Sequence, residues 1–297
     1  MKKAKSQERV YHLMMLPGMI FLLIFSYIPM FGIVMAFQDY STGKGILHSP
    51  FAGLKYFKYM FTLPDIGEII RNTLIIAAGK MIFTTMAALA FAILLNEIRI
   101  NWLKKSIQTV VYLPHFLSWV ILASVVVNMF SLDGIVNQML SVFGVEGVNF
   151  LGSNKTFQPL LISTDVWKEF GYGSIVYLAA ITSIDPGLHE AAAMDGATWW
   201  QRIWHITLPG MLTIIMLMSV MNIANILNAG FDQVYNLYNP MVYDTGDIID
   251  TYVYRMGLID HQYSFSTAVG LFKSVVGMIL MVSVNQISKK FTDSRIF

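Results

Sequence analysis

Polar and ionisable side chains set inside long apolar stretches are the first candidates for chemistry, because a charge or amide in hydrocarbon is costly unless it is paired or used. Lys80, Glu169 and Lys273 occupy such stretches, with Asp165 and Lys168 beside Glu169. Counting the helical rise from the ends of their stretches puts all three about a third of the way in, so they are expected to share one depth. Two readings stand: interhelical ion pairs with snorkelling lysine stems, or contact with a charged solute in a pathway. Asn222, Asn225 and Asn228 recur at helical spacing and predict an amide stripe, continued by Phe231 and Tyr235. Amides suit sugar hydroxyls and aromatic faces suit sugar C–H surfaces, which also brings in Trp167 and Tyr172. Asparagine serves equally well to bond one helix to another. Hydrolytic chemistry has little support: the six histidines never fall in an H-E-x-x-H pattern and no G-x-S-x-G occurs, so neither a catalytic group nor a metal site is expected. No nucleotide-binding P-loop is present either, since Gly43-Lys44-Gly45 lacks both the upstream glycine and the following hydroxyl.

The elements that must position these residues follow from composition. Of the 297 residues 56% are hydrophobic and 13% charged, where soluble domains carry about 25% charge. The chain has no cysteine, which excludes a disulfide scaffold and a thiolate metal site, and a net charge of +2 offers no field for nucleic acid. Apolar runs near 12–37, 72–95, 107–130, 160–183, 208–229 and 266–287 each approach the roughly 20 residues that cross a bilayer. The sequence therefore predicts an all-α integral membrane protein of six transmembrane helices, forming one transmembrane domain over residues 1–297. The first run is too long for a signal peptide and ends in no small-x-small site, so it reads as a retained span loosened at Pro17 and Pro29.

Lysine and arginine set the orientation. With the N-terminus inside, cytoplasmic segments hold Lys2, Lys3, Lys5, Arg9, Arg99, Lys104, Lys105, Arg202, Lys289, Lys290 and Arg295. Outer segments hold fewer: Lys44, Lys55, Lys58, Arg71, Lys155 and Arg255. Both termini are expected in the cytoplasm. The outer stretch from 38 to 71, with Gly43, Gly45, Pro50 and Gly53, predicts irregular backbone with short interfacial helices, and Asp133-Gly134 predicts a turn.

One cytoplasmic segment, 185–209, stands apart. Asp185 suits a helix N-cap and Pro186 the first helical position, while Gly196 fits the left-handed residue that ends a helix. The expected product is a short helix, a sharp turn and a second short helix rich in tryptophan. Three consecutive alanines on an exposed helix let another backbone approach, and Glu190 and Asp195 flank them with carboxylates. The segment reads either as a knob that docks into a partner's groove or as an elbow that joins two spans.

The run Glu190-Ala191-Ala192, then Asp195-Gly196-Ala197, then Ile206 and Leu208-Pro209, resembles the EAA signature of permease subunits of bacterial binding-protein-dependent ABC importers. The likeness is to the carbohydrate branch and, within it, to the LplB-like polysaccharide and oligosaccharide permease type. It extends over Leu113-Pro114, Trp167, Leu178-Ala179-Ala180 and Phe231-Asp232-Gln233. The chain departs from the family where Ile184-Asp185-Pro186 inserts an aspartate before the proline.

The resemblance implies a type I importer fold in the bacterial cytoplasmic membrane, with a cytoplasmic coupling helix between spans four and five. Glu190, Ala191, Ala192, Asp195 and Gly196 would be the ATPase-coupling residues. It implies a sister permease, a dimer of cytoplasmic ATPases and an extracellular solute-binding protein, lipid-anchored or free, as partners. ATP and magnesium would sit on the ATPase and no cofactor on this chain. The substrate would be an oligosaccharide, with Asn225, Asn228, Trp167, Tyr172, Lys80, Lys273 and Glu169 as pathway candidates. The surplus lysines point to an acidic, uronate-containing sugar. A self-contained secondary transporter or channel is the alternative, and its mark would be an inverted repeat or a Gly-rich broken helix near mid-membrane, neither of which the sequence discloses.

Overall fold

A computed structural model describes residues 2–292, with side chains other than those of 2–9, 224 and 287–292. The charges Lys2, Lys3, Lys5, Arg9, Lys289, Lys290 and Arg295, on which the orientation leans, lie outside the described side chains. The chain divides into two compact units, one of residues 1–63 with 253–272 and one of 64–252 with 273–297.

In the first unit, α1 (Lys2–Leu22) runs through Pro17 without a break. A π turn over Leu23–Tyr27 then precedes Pro29, with the Ile28 amide bonded to the Leu23 carbonyl. The wider turn gives room ahead of a residue that lacks an amide and whose ring would crowd the preceding turn. A 3-10 stretch, Phe31–Phe37, leads into the irregular segment anticipated from its glycines. Gly45 and Gly53 have φ of 68° and 59°, a region costly for a side chain. Asp39 accepts from Lys55 Nζ and from the Tyr56 hydroxyl, both at 2.7 Å. The Lys55 ammonium, and then the Tyr56 hydroxyl, hold the Asp39 carboxyl below the usual carboxylate range, and the same bond raises Lys55. Burial, and then the Asp39 hydrogen bond, push the Tyr56 phenol up.

The second unit is built on two long helices, α2 (Ile66–Glu97) and α3 (Phe157–Thr182), which pack along much of their length. Small residues permit the approach: a Cβ on Gly79 would lie 2.5 Å from Ile162 Cδ1, and one on Gly173 3.7 Å from the Ala88 Cβ. Close backbones of this kind drive helix association where lipid removes the hydrophobic incentive. One apolar core, including Ile76, Val126, Phe157, Leu161, Val234 and Ile248, closes one end of the pair. Another, with Ala88, Ala92, Tyr177, Ile181 and Met211, closes the other.

Among the described residues, five helices are long and apolar enough to cross a membrane: Val10–Phe37, Ile66–Glu97, Trp119–Val142, Trp199–Ile223 and Tyr263–Gln286. The expected fourth span coincides with α3, 26 residues long, but Asp165, Lys168 and Glu169 fall within about one turn of it and lower its apolar character. The third run is not one helix from 107 to 130. It divides into Asn101–Tyr112 and Trp119–Phe130 around a 3-10 turn at Leu113–Phe116, because Pro114 brings no amide and Ser118 caps the new helix at Ile121. Its apolar stretch instead continues to Val142 through the Asp133-Gly134 turn. Gly134 is needed there, since a Cβ would meet the Asn128 carbonyl oxygen at 2.6 Å.

The fifth run is shorter than its apolar length suggests. Helix α4 (Leu208–Ala224) stops at Asn225, whose φ of −103° and ψ of 14° are not helical. The strap 225–230 ends at Gly230 with φ 88°, after which α5 (Phe231–Leu237) begins. The amide stripe expected on one continuous helix is thus interrupted, and the break absent from the sequence reading is present. The last helix, α6 (Tyr263–Thr292), agrees with its predicted run.

Candidate functional site

Between the two apolar cores, α2, α3, α4 and the strap line a cavity of about 330 Å³. Its lining brings together Lys80, Thr84, Asp165, Glu169 and Tyr172 with Asn222, Asn225 and Asn228. Asp165 and Glu169 face it because they stand one turn apart on α3, and all three asparagines reach it although the helix carrying them breaks after the first. Trp167 is half-exposed and does not line this cavity. Phe231 and Tyr235 stack on each other with centroids 5.3 Å apart, on α5 beyond the break rather than along the asparagine stripe.

Lys80, Glu169 and Lys273, expected at one depth, each bond to a partner other than one another. Lys80 is 7% exposed, donates to the Ala229 carbonyl at 2.7 Å and stands 3.4 Å from Asp165 Oδ1. Lys273 Nζ reaches Asp250 Oδ1 at 2.5 Å and Asn228 Oδ1 at 2.9 Å. Glu169 takes His115 Nδ1 on one oxygen at 2.7 Å and Lys168 Nζ on the other at 2.8 Å. Lys168 also donates to the His115 carbonyl at 2.9 Å. The lysines are therefore not surplus cations here. His115 and Tyr172 stack face to face, with centroids 3.9 Å apart and planes 1° from parallel.

The pairing residues were the ones the sequence left in the background. Asp165 stands out only as a neighbour of Glu169, His115 is one of six histidines, and Asp250 lies outside the long apolar runs. The four-residue spacing of Asp165 and Glu169 was a usable signal. Nothing local marks His115 or Asp250, which reach the site by folding.

Segment 185–209 has the predicted form. Asp185 accepts from the Gly187 amide at 2.9 Å and starts α7 (Pro186–Met194). Gly196, at φ 80°, ends it, with Ala197 N bonded to Ala192 O at 2.9 Å and Gly196 N to Ala193 O at 3.1 Å. That pair of bonds is the Schellman closure a left-handed glycine allows. Thr198 and Gln201 then form a capping box for Trp199–Arg202, and a π turn, Ile203–Thr207, leads into α4 ahead of Pro209. No residue of α7 is buried, and Glu190, Ala191 and Asp195 are all exposed.

Comparison with known proteins follows the same outline. Residues 85–293 match the family model described as the binding-protein-dependent transport system inner membrane component. The chain is 44% identical, over 98% of its length and 91% of the relative's, to the polygalacturonan/rhamnogalacturonan transport system permease protein YteP of Bacillus subtilis. It is 42% identical to the protein LplB of the same organism, over 99% and 93% of the two chains. Its structure superposes with a TM-score of 0.89, at 40% identity over 98% of both chains, on a crystal structure of a bacterial ABC transporter that imports the acidic polysaccharide alginate. A second crystal structure of a bacterial alginate ABC transporter, in complex with its pentasaccharide-bound periplasmic protein, matches with the same TM-score at 39% identity. With matches of this length, and an exposed EAA helix on a multi-pass helical frame, the chain belongs to the inner membrane component family of binding-protein-dependent ABC importers.

Proposed function

We propose that this chain is one of two permease subunits of an ATP-driven importer of acidic oligosaccharides, with uronate-containing chains as the substrate class. The observation that carries the reading is full-length similarity to relatives named for polygalacturonan/rhamnogalacturonan and for alginate, which share carboxylate-bearing sugars. In this reading α3 is the fourth of six crossings, its charges facing the unit's interior, and both termini are cytoplasmic. The amides of Asn222, Asn225 and Asn228 and the ring of Tyr172, which share the cavity, are the groups suited to saccharide hydroxyls and C–H faces. Trp167 belongs to the pathway only where the sister subunit would complete it.

Helix α7 is the part that meets the ATPase. Its exposed Ala191 and Ala193 with flanking Glu190 and Asp195 fit a groove with basic edges, and its Asp185 cap and Gly196 closure hold it as a rigid piece. ATP-driven closure of the ATPases would move that piece and, through the π turn at Ile203–Thr207, the start of α4.

Reconstitution with the sister permease, ATPases and binding protein tests the proposal. Oligogalacturonate or oligoalginate should stimulate ATP hydrolysis while a neutral maltooligosaccharide of equal length does not. Stimulation by the neutral sugar alone would remove the acidic class. A failure of every sugar to stimulate the complete assembly would remove the oligosaccharide reading.

A further inference from the structure

The strap 225–230 has no helix of its own, yet side chains from other elements hold it. Lys80 of α2 donates to the Ala229 carbonyl at 2.7 Å and Lys273 of α6 to Asn228 Oδ1 at 2.9 Å, so the two ammoniums end on adjacent strap residues. Just beyond, Gln233 Nε2 donates to Leu161 O and Thr164 Oγ1, each at 2.8 Å. Gly230 is where strap and ammonium meet: a Cβ there would lie 2.7 Å from Lys80 Nζ, and its φ of 88° disfavours any side chain. Each lysine also has a carboxylate of this chain, Asp165 or Asp250. Both ammoniums are thus satisfied without a ligand, and what they hold in place is the segment that presents Asn225 and Asn228 to the cavity.

We propose that Lys80 and Lys273 are positioning residues, a two-point latch that fixes the strap and so aims the amides of Asn225 and Asn228, rather than counter-ions for a substrate carboxylate. The proposal rests on reading the cavity as a saccharide pathway, but the latch itself is a property of the strap and has a readout without sugar. A spin label on Ile226→Cys, in a chain that has no other cysteine, reports strap motion in the assembled importer. Lys80→Met and Lys273→Met should each mobilise the label in the absence of saccharide, and Lys273→Arg should keep it immobile. Gly230→Ala, which retains both lysines but crowds Nζ and strains the backbone at φ 88°, should mobilise it as well.

In transport assays, Lys273→Met and Asn228→Ala should each raise KM by roughly tenfold with kcat little changed, the size expected for one lost charge-assisted hydrogen bond. The double variant should be no worse than either single one, because Lys273 acts through Asn228. A label as immobile in both Met variants as in the parent would overturn the latch, and so would multiplying effects in the double variant. If no oligosaccharide stimulates the parent complex, the saccharide reading fails while the spectra still decide the latch.

Discussion

At the scale of single residues, buried amides do work that no motif advertises. Gln233 is fully buried, and its two donated bonds to Leu161 O and Thr164 Oγ1 join α5 to α3. Interhelical hydrogen bonds in membranes average about 0.6 kcal/mol and reach about 1.7. Gln233→Leu should therefore lower the stability of the solubilised complex by about 1 kcal/mol, and adding Thr164→Ala should lower it by less than the sum of the single effects. A thermal unfolding series checks both, and strict additivity would refute the shared bond. In the outer segment, the depressed Asp39 group stabilises its loop above the unfolded carboxylate pKa, about 3.9. That contribution fades as pH falls through the lower folded value. The parent should lose its advantage over Asp39→Asn across that acid window and keep it constant at neutral pH, as a pH series of melting curves would reveal. Of the candidate residues, the polar ones were legible because a charge in an apolar run is conspicuous. Their partners were not, since a salt bridge between α2 and α3 joins residues far apart in the chain, Lys80 and Asp165.

At the scale of elements, hydropathy located the helices, and proline, asparagine and glycine decided where they stop. The third run breaks at Leu113–Phe116 and the fifth at Asn225, each inside the bounds of a single apolar run. A hydropathy window averages over such points, while the missing amide of Pro114 and the left-handed Gly230 act at one residue. Close helix approach has the same single-residue character. A Cβ on Gly171 would strike the Val111 backbone, so Gly171→Val should separate the helix Asn101–Tyr112 from α3 and cost about 1–3 kcal/mol. The yield and melting point of the complex would show it, and a neutral effect would mean that the two helices can slide apart freely.

At the scale of the whole molecule, orientation is the property with the most consequences, because the proposed topology needs α7 in the cytoplasm, where an ATPase can reach it, and segment 38–71 outside. Leu47 is 90% exposed in the outer segment and Met194 is 89% exposed at the end of α7. In this cysteine-free chain, an impermeant thiol reagent should label Leu47→Cys in intact cells and Met194→Cys only after permeabilisation. The reverse pattern would invert the topology and detach α7 from any cytoplasmic ATPase.

The sequence by itself determined the membrane class, the helical architecture, the form of the 185–209 segment and the family likeness. All of these depend on residues close together in the chain: apolar runs, a capping aspartate, a closing glycine. Only the tertiary structure decided which charges pair, that Trp167 stands away from the cavity, and that an interrupted strap still delivers Asn225 and Asn228 to the same space as Lys80 and Glu169. The physical reason is range. A cap or a span is settled within one or two helical turns, whereas a lysine in hydrocarbon takes whichever carboxylate or carbonyl the packed helices bring within about 3 Å, and that choice exists only once they have met.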